Sequence, residues 1–191
     1  MNVLVTGGSG FIGSHIVDVL LKKKYIVHGV KRRSSSLNTG RVDHIYQDPH
    51  ERTRKFILHY GDVTDAISVS SLIKKIKPNE IYNLAAQSSV SKSYQDPILT
   101  LSFNTLSVAT ILECIRQTDK TIKFYQASSS EMCGNVNSLP ITENSTLYPV
   151  SPYAVSKLHA YWTTVNYRES YSLFASNGIL FNHESPRRGR T

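Results

Sequence analysis

Four groups of residues in this chain have types and spacings that can do chemistry. Tyr153 and Lys157 stand four apart in a helical pattern and so share one helix face. An ammonium beside a phenol favours the phenolate, so the pair predicts a tyrosine base working below its free pKa of about 10. Ser128-Ser129-Ser130-Glu131 follows an apolar run and offers a hydroxyl, at Ser129, next to a carboxylate, at Glu131. Gly7, Gly10 and Gly13 form G-x-x-G-x-x-G, with Phe11 and Ile12 opening the pattern that follows. Such a loop lets backbone approach a pyrophosphate where free N–H groups and the helix dipole favour negative charge. Finally, Arg32, Arg33 and Ser34 come just after a second apolar run. An acidic residue there would bind a ribose 2′-hydroxyl; guanidinium groups and hydroxyls suit a 2′-phosphate, which favours NADP over NAD.

Each group needs an element to hold it. Short apolar runs at Asn2–Thr6, Tyr25–Val30, Lys55–Tyr60, Glu80–Ala85, Thr121–Ser128 and Gly178–Phe181 read as strands. Helical patterns at Phe11–Lys24, Asp65–Lys77, Pro97–Gln117 and Pro152–Tyr171 lie between them. The alternation predicts an α/β fold: a doubly wound parallel sheet of the Rossmann type with helices on both faces. The glycine loop then joins the first strand to the first helix, and the serine–glutamate run caps the fifth strand. Asp62 and Val63, after the third strand, are placed to flank an adenine, although Asp62 equally suits a turn. Leu84, Ala85 and Ala86 end the fourth strand with side chains small enough, at the alanines, for a dinucleotide to lie close. The loop from Ser34 to Arg54 is about twice the usual connection length.

Composition narrows the rest. The chain has 191 residues, net charge +8, 40% hydrophobic and 19% charged residues. That is ordinary for a folded soluble domain. The basic residues are scattered without a stripe or aromatic interleaving, so nucleic-acid binding is not expected. No stretch has the ~20 apolar residues of a membrane helix. The two cysteines, Cys114 and Cys133, carry no metal spacing and no disulfide framework. A cytoplasmic, reducing setting is expected.

Together these residues resemble the extended short-chain dehydrogenase/reductase family and, within it, the GDP-mannose 4,6-dehydratases. The stretches that carry the resemblance are RRSSSLNTGR (Arg32–Arg41), NLAAQS (Asn83–Ser88), FYQASSSEM (Phe124–Met132), SPYAVSKLHAYWTTVNYRESY (Ser151–Tyr171) and NGILFNHESPRRG (Asn177–Gly189). The resemblance implies an NADP-dependent dehydration of GDP-mannose to GDP-4-dehydro-6-deoxymannose. It gives Glu131 the role of acid/base, with Ser129, Tyr153 and Lys157 completing the site. Ser88, Asn182, His183 and Arg188 would lie around cofactor or substrate. It also implies a homo-oligomer, dimer or tetramer, paired through the two long helices, with the Arg32–Arg41 loop reaching a neighbouring subunit. Ser89, Leu99, Cys133 and the GGSGFIG loop depart from the family's usual residues. The chain is expected to be one cofactor-binding domain over residues 1–191, without the family's C-terminal substrate part. Two other readings stay open: a nucleotide-sugar epimerase or reductase, favoured by the glycine loop and disfavoured by Glu131, and an NADP-binding module without turnover.

Overall fold

The computed structural model describes residues 1–33, 38–136 and 139–189; Ser34 lies outside the described residues. Six parallel strands form one sheet: β1 (Asn2–Thr6), β2 (Ile26–Lys31), β3 (Phe56–Tyr60), β4 (Glu80–Asn83), β5 (Lys123–Ser129) and β6 (Ala175–Leu180). Their spatial order is β3-β2-β1-β4-β5-β6. The order reverses between β1 and β4, and a doubly wound sheet opens its ligand crevice at that switch, beyond the strands' C-terminal ends. The register pairs Thr6 with both Val30 and Asn83, and Asn83 with Gln126.

Helices cover both faces, as the alternation predicts. On one face α1 (Phe11–Lys22) buries Val17 and Leu20 against Val3, Val5 and Val27. On the other, α2 (Ala66–Ile76), α4 (Pro97–Thr118) and α5 (Pro152–Tyr171) enclose Leu4, Ile81, Ile111, Ile115 and Phe124. Their starts follow local chemistry. Asp65, Asp96 and Ser151 accept hydrogen bonds from the first-turn amides of Ile67, Leu99 and Ala154, and Pro97 and Pro152 occupy the first helical position. Lys77 ends α2 in a left-handed conformation directly before Pro78.

Several details differ from the sequence reading, among them the start of β6 at Ala175, three residues before the expected Gly178. A short α3 (Val90–Gln95) was not expected; Ser89 caps it through Lys92 N–H. β4 stops at Asn83: the Ala85 amide bonds to the Thr6 hydroxyl, and the Leu84 amide is shared between that hydroxyl and the Thr6 carbonyl. α4 corrects the membrane statement, since its 22 residues are long and apolar enough, with mean hydropathy 1.6, to cross a bilayer. Its buried residues include Thr100, Asn104, Ser107 and Thr110, and it packs against α2 and α5 as a core helix.

Candidate active site

The glycine loop is built for close backbone approach. Gly7 has φ +68°, and a Cβ on it would lie 3.0 Å from the Ala85 nitrogen. A Cβ on Gly13 would come within 2.1 Å of the Gly7 carbonyl oxygen. Both positions therefore require glycine. Gly10 begins α1 with no side-chain cap and no acidic residue in the first turn. The amides that open the helix are thus left for an anion. Phe11 and Ile12 offer only these amides, since their side chains line a second groove on the outer side of α1.

A cleft of about 500 Å³ adjoins the loop. Gly7, Gly10, Arg32, Arg33, Val63, Ala85 and Ala86 all line it, as the sequence spacing predicts. Arg32 and Arg33 are exposed at its rim and rest over the rings of Phe103 and Tyr60, at 5.1 and 5.3 Å from the centroids. Asp62 takes the turn role. Its Oδ1 accepts from both the N–H and the hydroxyl of Thr64 at 2.9 and 2.7 Å, which with Arg32 nearby holds its carboxyl below the usual range. Leu84 packs toward the α1-side core and does not line the cleft.

The reactive cluster sits at the end of β5. Ser129 is its last residue and Glu131 lies in the short 3-10 turn Ser130–Cys133 that follows. The Ser129 hydroxyl accepts the Glu131 N–H at 3.2 Å and hydrogen-bonds the Tyr153 phenol. Tyr153 and Lys157 project from the first turns of α5 and are only 8% and 6% exposed. Lys157 Nζ lies 5.8 Å from the Tyr153 ring centre and donates to the Ala127 carbonyl at 2.9 Å. The expected depression of the tyrosine pKa is corrected here. Burial raises the Tyr153 phenol, the Ser129 bond opposes that, and the Glu131 charge adds to it. Lys157 gives no such help because its ammonium is turned to a carbonyl, and burial pulls it down to about 8.

The remaining expected residues lie elsewhere. Ser88 is exposed in the loop after β4, and Asn182 is exposed after β6. His183 stacks on Phe11 at 5.5 Å and lines the outer groove of α1. Arg188 is ion-paired with Glu184 and also donates to the His183 carbonyl. The segment is held along α1 by His15 to Ser185 and Arg187 to Asp18. Among the described residues neither His183 nor Arg188 lines the glycine-loop cleft.

What the sequence reading missed is a buried polar path between the two parts of the site. Thr6 Oγ1 donates to Asn83 Oδ1 at 2.5 Å and accepts the Leu84 and Ala85 amides at 3.1 Å each. Asn83 Nδ2 donates to Gln126 Oε1 at 2.8 Å, and Gln126 Nε2 donates to the Ala127 carbonyl at 3.0 Å. That carbonyl is the one that holds Lys157. Asn104 of α4 makes a second clamp: it bonds both the N–H and the carbonyl of Gln87 and donates to Ser156 Oγ at 2.9 Å. The available signal was positional. VLVT, IYN and FYQ each end an apolar run on a hydrogen-bonding residue.

Comparison with known proteins gives this architecture a family. The chain is 54% identical over 190 residues to GDP-mannose 4,6-dehydratase of Vibrio cholerae and 48% identical over 189 residues to GDP-mannose 4,6 dehydratase of Homo sapiens. These matches cover 98% and 97% of the chain, which spans about half, 51%, of each relative's length. A dTDP-glucose 4,6-dehydratase of Streptomyces venezuelae solved with NAD superposes with TM-score 0.85 at 27% identity, covering 98% of this chain and 58% of that one. A UDP-glucose 4-epimerase of Thermotoga maritima gives TM-score 0.77 at 30% identity, covering 91% and 53%. The family model for GDP-mannose 4,6 dehydratase matches residues 4–191, and the chain belongs to that family.

Proposed function

We propose that this chain carries the cofactor-binding and catalytic part of an NADP-dependent GDP-mannose 4,6-dehydratase. The observation that carries the reading is Glu131, placed one turn after Ser129 and near enough to Tyr153 for its charge to act on the phenol. Removing a 4-hydroxyl proton needs one base. Eliminating water from C5 and C6 needs a second, and a carboxylate suffices once a neighbouring ketone acidifies the C5 hydrogen. A plain epimerase has no use for that second base.

The glycine loop and the uncapped start of α1 fit a pyrophosphate, and Arg32 with Arg33 fit a 2′-phosphate at the rim. A bound nicotinamide dinucleotide supplies the hydride acceptor and donor. Tyr153, as the phenolate, takes the proton of the sugar 4-hydroxyl and becomes the neutral phenol, with Ser129 beside it to hydrogen-bond the phenolate beforehand. Glu131 takes the C5 proton and delivers a proton to the departing 6-hydroxyl. Lys157 adds positive charge at the buried end of the cluster. Ser88 and Asn182, exposed beyond β4 and β6, are left for the sugar nucleotide, and His183 and Arg188 for the cofactor once their segment leaves α1.

The exposed Ile98, Leu106, Val155 and Trp162 on α4 and α5 support pairing of two copies through these helices. The two buried free cysteines fit a reducing, cytoplasmic compartment.

The test is incubation with GDP-mannose and NADP, followed by NMR for the 4-keto sugar. Product from the native protein and none from Glu131→Gln or Tyr153→Phe is expected. Full dehydration by Glu131→Gln would remove that residue from the mechanism.

A further inference from the structure

Away from this site, β2 and β3 place two histidines side by side under α2. His28 Nδ1 and His59 Nε2 are 2.9 Å apart, and their rings stack at 5.2 Å. A neutral imidazole carries one N–H, so one ring donates to the other. In either arrangement one outer nitrogen, His28 Nε2 or His59 Nδ1, keeps an N–H that no described residue accepts. Both rings line a cavity of about 410 Å³, whose other polar walls are Asn2, Arg54 and Lys75. Among the described residues no carboxylate lines it. Among the described residues Arg54 and Lys75 make no ion pair. Asp48, whose charge interacts with Arg54, is exposed and bonded to His50. The charges that act on the rings from β3, α2 and the turn before β3, those of His59, Lys75 and Arg54, are all positive. Burial and the neighbouring His59, Arg54 and Lys75 push His28 down to about 4, and burial with Lys75 and Arg54 lowers His59.

A pocket with two unpaired cations, a spare N–H and no acid is complementary to an anion. Its volume is in the range of small-molecule sites, about 300–1,000 Å³, and exceeds the needs of a bare oxyanion. It shares no lining residue with the glycine-loop cleft. We propose that this pocket, formed by His28, His59, Arg54 and Lys75, is a second anion site that takes the phosphoryl group of a small phosphomonoester.

The imidazole NMR signals of His28 and His59, assigned with His59→Gln, report the site directly. Glycerol 3-phosphate, inorganic phosphate and sulfate are each titrated into the protein. Saturable shifts of both rings are expected, with glycerol 3-phosphate bound more tightly than phosphate. Arg54→Gln/Lys75→Gln should raise its Kd about tenfold or more, and Lys22→Gln/Lys24→Gln, which removes the same charge elsewhere, should leave it unchanged. Sulfate stays a dianion across the range, and its charge beside the rings should lift their lowered pKa values back toward the ordinary imidazole range of about 6.5, so that a proton is taken up on binding and affinity rises about tenfold from pH 8 to pH 5.5. Equal affinity for phosphate and its ester would overturn the ester and leave the free ion as occupant. Rings that respond to none of the three, or a Kd that follows net charge in both double variants, would overturn the site.

Discussion

Replacing Lys157 by methionine should make the protein more stable while removing the chemistry proposed for it. The side chain is 6% exposed, and its one described hydrogen bond goes to the Ala127 carbonyl. Burial pulls its pKa from 10.5 to about 8. The folded state thus holds this proton less tightly than the unfolded chain, so the charge opposes folding. The opposition is complete below pH 8 and fades as pH rises toward 10.5, where the unfolded chain also loses the proton. At roughly 1.4 kcal/mol for each step of one in pKa, the charge costs about 3 kcal/mol at pH 7. Methionine fills similar space without charge. The Ala127 carbonyl keeps a partner, because Gln126 Nε2 also donates to it at 3.0 Å. Urea unfolding at pH 7 should show Lys157→Met more stable by about 2–3 kcal/mol, or a Tm higher by roughly 5–10 °C. By pH 9.5 the gain should fall by more than half. A variant less stable at pH 7, or equally stabilised at both pH values, would refute the account of Lys157 as a strained buried cation. Strain of this kind is held at sites where the group is needed for chemistry.

Other consequences follow from the geometry. Arg32→Ala should weaken NADP about tenfold or more and leave NAD unchanged by calorimetry; equal losses would mean that Arg32 does not read the 2′-phosphate. Gly13→Ala places a Cβ 2.1 Å from the Gly7 oxygen, so the loop must shift; a stability loss of about 1–3 kcal/mol and weaker dinucleotide binding are expected. Thr6→Val keeps the volume but strands Asn83 Oδ1 and the Ala85 amide, while the Leu84 amide keeps the Thr6 carbonyl. It should cost about 3 kcal/mol or more in urea unfolding, and a loss under about 0.5 kcal/mol would show that these groups find other partners.

The contrast between what was legible and what was not has a physical basis. The strands and the four long helices announce themselves because each carries its own signal: an apolar run, a capping side chain, a glycine or proline at an end. The first turn of α5 fixes Tyr153 and Lys157 on one face by helical period alone, and the glycine spacing marks a loop that needs φ +68° at Gly7. α3 carries no such signal. VSKSYQ has no apolar period, and it is held by the Ser89 cap. The raised tyrosine pKa is not legible for a related reason: helical spacing says that Lys157 and Tyr153 are neighbours, but not that burial governs both groups or that the ammonium turns toward β5.

The polar path from Thr6 to Lys157 was hidden more deeply, because it belongs to no single segment. Thr6, Asn83 and Gln126 are 77 and 43 residues apart in sequence. They meet only because β4 lies between β1 and β5 in parallel register, which puts all three in one row across the sheet. A threonine, an asparagine or a glutamine buried singly at a strand end would each lack a partner. Buried together they satisfy one another, and the row ends on the carbonyl that positions Lys157. The same sheet order that opens the crevice therefore also ties the phosphate loop to Lys157, and a slip of one residue in any of the three strands would break both at once.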